Sequence, residues 1–473
     1  MRTASGVIPR QEQVRTIPVW LPTSVAALGG LLFGFDTAVI NGALVFLRRY
    51  FVMSDTATEV AASSLLVGCV IGAMLAGTLS DRFGRRKLLI GAAACFAVSA
   101  IGAAVPTTLR QFIVARFVGG IAIGIASMLS PLYIAEISPA RIRGKLVTTN
   151  QLMIVVGILA SYCVNYLLST WGASSWRWMF GSAVLPSLLF LLALMLVPES
   201  PRWLVEQGRS ADALKVLTAI DNSGAKAELQ AIESAVTGES GSLREPGLAR
   251  LLRIAIALAV LQQVTGINTI LYYGSLLFVE RIPGQSDSSA LIANIAIGAV
   301  NLVCTIVAML IIDRLGRRPL LMWASGGMGI SLTFLAIAIH LRAPLPVILG
   351  TILLYVACFA VGLGPAVWLV MAEIFPSRVR GRAMSLATVS LWLACLLITA
   401  TFLTLMNVVG ASGTFLLYAG MCIVTFGLVL KAVPETKGYT LEEIQKNIRP
   451  LERSRLVADS ASPADETRYP ELP

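Results

Sequence analysis

Histidine is all but absent from this chain, with His340 the single one in 473 residues. Imidazole metal sites and histidine acid–base catalysis therefore lack their raw material. Charge is scarce as well: Asp, Glu, Lys and Arg make up 13% of the residues against 56% hydrophobic ones, and the mean hydropathy is +0.79. That balance excludes an ordinary soluble enzyme. The cysteines Cys69, Cys95, Cys163, Cys304, Cys358, Cys395 and Cys422 stand singly, without metal-ligand spacing or a loop disulfide framework, and read as small apolar side chains. Activated nucleophiles, metal clusters and phosphate-cradling loops are missing too, so no enzyme, no metal and no cofactor are expected. The alternating pattern of a membrane β-barrel is also lacking.

Apolar runs fill the sequence instead. Twelve of them, centred near residues 30, 69, 97, 121, 157, 187, 265, 300, 330, 360, 394 and 422, have the roughly 20 residues a helix needs to cross a bilayer. The expected fold class is an all-α membrane protein with twelve transmembrane helices. The net charge of +11 is spread over alternate short loops, not along one patch, which argues against nucleic acid as a partner. Arg82, Arg85, Arg86 and Lys87 follow span two, Arg141, Arg143 and Lys145 span four, Arg314, Arg317 and Arg318 span eight, and Arg378, Arg380 and Arg382 span ten. The positive-inside rule puts these loops and both termini in the cytoplasm of a cell with the chain in its plasma membrane. Residues 1–16 carry Arg2, Arg10 and Arg15 but no cleavage-type signal, so the first span counts as structure.

The chain also repeats itself. DRFGRR at 81–86 returns as DRLGRR at 313–318, AEISPARIRG at 135–144 as AEIFPSRVRG at 372–381, and PES at 198–200 as PET at 434–436. Such parallel repeats describe two pseudo-symmetric six-helix bundles rocking about a central site. The expected domains are a cytoplasmic segment 1–16, a first bundle 17–197, a linker with short helices 198–250, a second bundle 251–433, and a cytoplasmic tail 434–473 that is largely disordered at its end.

One carboxylate, Asp36, sits inside the first span, in GLLFGFDTAVING. It lies about 24 to 28 Å from the inner end of that span at 1.5 Å per residue, close to the depth of Arg116 in span four. A lone charge at mid-membrane costs about 2.5 to 3.5 kcal/mol or more, so the two are expected to pair. The repeat sets Asn268 opposite Asp36 and Leu353 opposite Arg116. An ion pair in one half only suggests a proton site more than a static staple between spans one and four, the alternative reading. Amides cluster at similar depth: Gln262, Gln263 and Asn268 beside Gly266, where the helix is free to break, with Gln151 in span five and Asn301 in span eight. Amides donate and accept, as a polyhydroxylated ligand requires; the alternative for each is an interhelical hydrogen bond. Glu136, Arg143 and Glu199 recur as Glu373, Arg380 and Glu435 at inner helix ends. They are expected to latch the cytoplasmic seam between the halves when it closes, unless the loop arginines serve only orientation. Asp81 and Asp313 are expected to tether spans within each half.

DRFGRRK, PESPRWL, LQQVTGIN, AEIFPSRVRG and PETKGYTLEEI, in this order over residues 20–446, resemble the sugar porter family of the major facilitator superfamily, in particular its bacterial sugar/proton symporters. The resemblance implies the major facilitator fold, and sugar contacts at Gln151, Gln262, Gln263, Asn268 and Asn301. It also implies pocket-wall positions for Trp368, Trp392, Phe359 and Gly364, a pocket aromatic at Phe33 and an outer gate at Tyr272, and it matches Asp36 and Arg116 to the family's proton-coupled members. Phe35, Leu391 and Cys395 depart from the family pattern and leave span eleven with fewer hydrogen-bonding groups. The expected function is import of a monosaccharide, pentose or hexose, by proton symport through alternating access. Its partners are sugar, protons and the lipid bilayer, with the monomer as the working unit. A sugar or inositol-like polyol facilitator and a non-transporting sensor are the rivals.

Overall fold

The computed structural model describes residues 17–139, 142–222, 224–237, 246–281, 286–375 and 377–437. The expectations for segment 1–16 and for the tail beyond 437 lie outside the described residues. The helices are α1 (Trp20–Tyr50), α2 (Asp55–Phe83), α3 (Arg85–Ala104), α4 (Leu109–Ile137), α5 (Arg143–Leu168), α6 (Ser175–Gly181), α7 (Val184–Leu194), α8 (Pro201–Glu206), α9 (Ser210–Ile220), α10 (Ala225–Thr237), α11 (Pro246–Val264), α12 (Ile267–Arg281), α13 (Asp287–Leu315), α14 (Arg317–His340), α15 (Leu345–Val361), α16 (Leu363–Glu373) and α17 (Ser377–Ala432). Among the described residues there is no strand.

Eleven helical stretches are long and apolar enough to span a bilayer. Twelve crossings result, because Gly410 interrupts α17 with non-helical angles (φ 81, ψ 161) and divides it into two spans. Three other spans are built from two pieces: α6 with α7, α11 with α12, and α15 with α16. A bilayer core offers no water to unpaired peptide groups, so each break has to find its partners inside the protein.

In the first bundle α2 packs on α4, α1 on α5, and α3 on α4; in the second α14 packs on α17 and α15, and α11 on α17. Small residues let the first pair close up: a Cβ on Gly120 would lie 1.8 Å from the Leu65 carbonyl oxygen and one on Gly72 2.3 Å from that of Ile121. Such backbone approach supplies the dispersion contacts that hold helices together where lipid removes the hydrophobic drive. The perimeter is apolar in turn, with Leu185, Leu192, Leu310, Trp323, Leu397 and Ile423 each more than half exposed. Helices α8 to α10 form a separate small cluster around Trp203, Leu204, Val205 and Ala213 at the end that carries the arginine repeats.

The bundles meet through α1 with α12, α5 with α13, and α2 with α17. At the end opposite the arginine repeats this seam is tied by polar bonds. Arg48 pairs with Glu280 at 3.0 Å, and Arg49 binds Asp287 through both terminal nitrogens at 2.5 and 2.9 Å. Glu59 accepts from the N–H and hydroxyl of Thr404 at 2.7 and 2.8 Å. Buried Asn41 of α1 donates to Leu271 O at 2.9 Å and to Asn294 Oδ1 at 3.2 Å, and accepts the Ser275 N–H at 2.7 Å.

Candidate functional site

Midway along the seam lies a cavity of about 100 Å³. It is walled by α1, α5, α11, α12, α13, α15, α16 and α17, so both bundles contribute. Its amides are Gln151, Gln262, Gln263, Asn268 and Asn301; its aromatic wall is Phe33, Tyr272, Phe359, Trp368 and Trp392, with Gly364 beside Phe359. The structure thus brings together all the residues singled out from the sequence for this pocket. It adds polar hydroxyls the sequence reading missed, Thr37 and Thr305, and apolar residues such as Ile154, Ile158 and Leu271. Thr37 follows Phe33 by four residues and Thr305 follows Asn301 by four, so the one-turn rule was the signal that would have found them.

The chain break beside the amides is built into the backbone. Gly266 sits at φ +90, and a Cβ there would fall 2.4 Å from the Tyr418 ring, so glycine is required twice over. The carbonyl freed at Thr265 is collected by the Tyr355 hydroxyl at 2.9 Å. From there a relay of amides runs along the wall. Gln262 Nε2 donates to Leu363 O at 2.7 Å, Gln263 Nε2 to Gln262 Oε1 at 3.1 Å, and Asn268 Nδ2 to Gln263 Oε1 and to Cys395 Sγ, the latter at 3.1 Å. Gln151 and Asn301, across the cavity on α5 and α13, have no such bond among the described residues. Phe33 and Trp392 meet at 5.5 Å between ring centroids, and the buried Trp392 Nε1 has no acceptor among the described residues. Leu391 lines the cavity as well, an apolar patch between these donors.

Asp36 and Arg116 do not line the cavity; they stand directly behind it, one residue along α1 from Thr37. Their side chains meet: Arg116 Nη1 is 2.6 Å from Asp36 Oδ1, and Nη2 donates to the Asp36 backbone carbonyl at 2.8 Å. Arg116 is 1% exposed, and its guanidinium also lies over the Phe180 ring at 5.1 Å. The pairing is incomplete, because Asp36 Oδ2 and Arg116 Nε are buried without partners among the described residues. A buried pair of this kind is costly to split, since the partner left behind is an uncompensated charge.

The expected gate residues pair within their own halves in this conformation. Glu136 accepts from Arg85 Nε and Nη2 at 3.1 and 3.2 Å and from Ser200 Oγ at 2.6 Å; Glu199 accepts the N–H of Arg86 and of Ser200, both at 2.9 Å. The second half copies this, with Glu373 on Arg317 at 3.2 and 2.9 Å and on Thr436 Oγ1, and Glu435 on the N–H groups of Arg317, Arg318, Thr436 and Lys437. Arg143 reaches Glu228 of α10 at 2.8 Å. In this conformation each of these four carboxylates is held inside its own half. The reason is local, because Glu199 and Glu435 sit at the first turns of α3 and α14, where free N–H groups and the helix dipole attract an anion. Burial works to raise the Glu435 carboxyl, and the four backbone donors outweigh it and hold it below the usual carboxylate range. Asp81 and Asp313 lie 3.4 and 3.0 Å from Arg85 and Arg317, tethers within each half. The Arg380 side chain lies outside the described residues.

Two six-helix bundles about a central cavity, with a buried ion pair behind its wall, define a membrane transporter of the alternating-access kind. A family model described as "Sugar (and other) transporter" matches residues 23–448. The chain is 39% identical over 440 residues to the arabinose-proton symporter of Bacillus subtilis, covering 90% of this chain and 94% of that one. It is 40% identical over 467 residues to the D-xylose-proton symporter of Escherichia coli K12, covering 89% and 94%. The solved structure of the major facilitator superfamily proton:xylose symporter XylE, bound to 6-bromo-6-deoxy-D-glucose, superposes with a TM-score of 0.79 at 38% identity, covering 91% of this chain and 98% of that one. The chain belongs to the sugar transporter family of the major facilitator superfamily.

Proposed function

We propose that this protein imports a monosaccharide together with a proton, Asp36 being the proton carrier. The observation that carries the reading is the buried Asp36–Arg116 pair set one residue behind a cavity lined by amides and aromatic rings. In this reading the arginine-rich end and both termini face the cytoplasm of a plasma membrane, since that end holds the excess cations. Residues 17–197 and 251–433 are the two rocking bodies, with 198–250 as the link between them, and one copy of the chain is the working unit.

The chemistry follows from the contacts. A sugar offers hydroxyls and apolar ring faces; Gln151 and Asn301 supply free donors and acceptors, Trp392 an unspent N–H, and Phe33, Trp368 and Trp392 a surface for carbon. Ionised Asp36 is held by Arg116 through both its carboxylate and its backbone, which fixes α1 against α4. Protonation removes the charge that compensates Arg116 and weakens that hold. Because Phe33 and Thr37 of α1 line the cavity, freedom of α1 is felt by the sugar, and occupancy is felt by the carboxyl. The bonds across the seam at Asn41, Glu59 and Arg48 would hold the outer side shut in this conformation, while Glu136 and Glu373 are clipped within their own halves.

Reconstituted vesicles loaded at one pH and diluted into another, with a panel of radiolabelled pentoses, hexoses and inositol, test the reading. An inward proton gradient should concentrate at least one monosaccharide above its outside level, and Asp36→Asn should equilibrate that sugar without concentrating it. Equal accumulation by Asp36→Asn and wild type would refute it.

A further inference from the structure

Behind the ion pair, two buried oxygens are left unmatched. Asp36 Oδ2 and Ser99 Oγ both lack a hydrogen-bond partner among the described residues, and the two residues are 4% and 1% exposed. Both crowd the same spot on α4, beside Gly119, where there is no room for a side chain. A Cβ built on Gly119 of α4 would lie 2.3 Å from Ser99 Oγ and 3.0 Å from Asp36 Oδ2. Ser99, like Ser130 and Ser161, has a hydroxyl without a partner among the described residues, and of the three it is the one whose oxygen meets Asp36 Oδ2 beside Gly119. Ser63, Ser127, Ser187, Ser325 and Ser331 all turn their hydroxyls back onto a carbonyl three or four residues earlier, whereas Ser99 on α3 does not. A buried hydroxyl without a partner is costly, and the other oxygen crowded against Gly119 is a carboxylate oxygen equally in need of one.

We propose that Ser99 is the second partner of Asp36, a positioning hydroxyl that serves the coupling carboxyl in both protonation states by turning onto Oδ2 beside Gly119. This rests on the reading of Asp36 as the proton carrier. A carboxylate can only accept hydrogen bonds, and a protonated carboxyl must also donate one. Arg116 has donors alone, so it satisfies the first state and not the second. A hydroxyl rotates to satisfy either. With Asp36 ionised, the Ser99 O–H donates to Oδ2 while Arg116 holds Oδ1. With a proton from the aqueous side on Oδ2, that O–H donates to Ser99 Oγ, and the neutral acid stays bonded while Arg116 is released.

The neighbouring groups leave this role open to Ser99. Besides Arg116 on α4, the titratable groups facing Asp36 are Cys69 on α2, with Tyr272 on α12 and Cys395 on α17 beyond it, and none of them bonds Oδ2. Tyr162 of α5 spends its hydroxyl on Leu271 O at 3.1 Å, and Arg177 of α6 its guanidinium on the carbonyls of Ala104 and Pro106. Cys95 lies one turn before Ser99 on α3, and α7 carries no titratable residue.

The test is the pH dependence of sugar uptake in vesicles for wild type, Ser99→Ala and Ser99→Thr, with sugar counterflow at zero gradient as the measure of intact carrier. A donor to an ionised group is worth more than one to a neutral group. Ser99→Ala should therefore move the pH midpoint of proton-driven uptake upward by about half a unit or more with counterflow within twofold of wild type. Ser99→Thr, which keeps the hydroxyl, should restore the wild-type midpoint. A Ser99→Ala midpoint that is unmoved or moved to lower pH, or a Ser99→Thr midpoint shifted as far as that of Ser99→Ala, overturns the role of Ser99. Should Ser99→Ala fail to insert, Ser99→Cys, close in shape and a weak donor, is read by the same criterion. Failure of the underlying reading looks different, because then wild type itself takes up sugar with no response to the proton gradient.

Discussion

At the scale of single residues the decisive pair is Asp36 with Arg116, because both are buried and each is the other's ion-pair partner among the described residues. Arg116→Leu should leave an unpaired buried carboxylate and lose about 3 to 5 kcal/mol of stability. Asp36→Asn with Arg116→Leu in one chain should recover most of that loss. Thermal unfolding in detergent of the two single variants and the double variant reads the coupling between them. At the cavity, Gln151→Ala and Asn301→Ala each remove an amide that bonds nothing else in the described protein. Each should weaken sugar binding in counterflow by about five- to tenfold, the worth of one hydrogen bond of about 1 kcal/mol, with the fold intact. These residues were legible in the sequence because a charge or an amide stands out in an apolar run. Thr37 and Thr305 were not, since threonine is ordinary inside membrane helices, where its hydroxyl can return to its own backbone; Thr37 does so, onto Phe33 O at 2.7 Å.

At the scale of elements, function depends on where helices break and what ties their ends. The α11–α12 break was readable from the single glycine in GIN, and its cost is visible in the structure: at φ +90 and 2.4 Å from the Tyr418 ring, Gly266 admits no side chain. Gly266→Ala should abolish transport, with a loss of stability on the order of 1 to 3 kcal/mol from strain and overpacking. The clips at α3 and α14 were only half legible. Their charges and repetition are plain in DRFGRR and DRLGRR, but a carboxylate that can serve its own half or the facing one gives the same letters either way, and only tertiary distance chooses. The clip at α14 carries a pH signature. Because Glu435 is held below the usual range, its stabilisation is fully present above the ordinary carboxyl value of 4.5 and is lost as pH falls through the lower folded-state value. The difference in thermal stability between wild type and Glu435→Gln should thus persist from neutral pH to the mid-fours and close below.

For the whole molecule, twelve crossings were legible from the apolar runs alone, and the two-bundle plan from repeats recurring in the second half. What the sequence did not contain was the conformation. The seam at the end opposite the arginine repeats is tied here by Asn41, Glu59, Arg48 and Arg49, residues that make no motif and matter because α1, α2, α12, α13 and α17 converge at that end. Asn41→Ala, which unties Leu271 O and the Ser275 N–H, should raise the population open to the outside. A membrane-impermeant thiol reagent should then label Tyr272→Cys several-fold faster, in a chain whose native cysteines have been replaced. The measurement that bears most directly on Asp36 as the proton carrier is of the proton itself. In lightly buffered vesicles with the chain oriented as in the cell, a transported sugar added outside should alkalinise the medium in step with its uptake for wild type and leave the pH unchanged for Asp36→Asn. Sugar entry by wild type with no accompanying proton, or proton entry with sugar in Asp36→Asn, would contradict it.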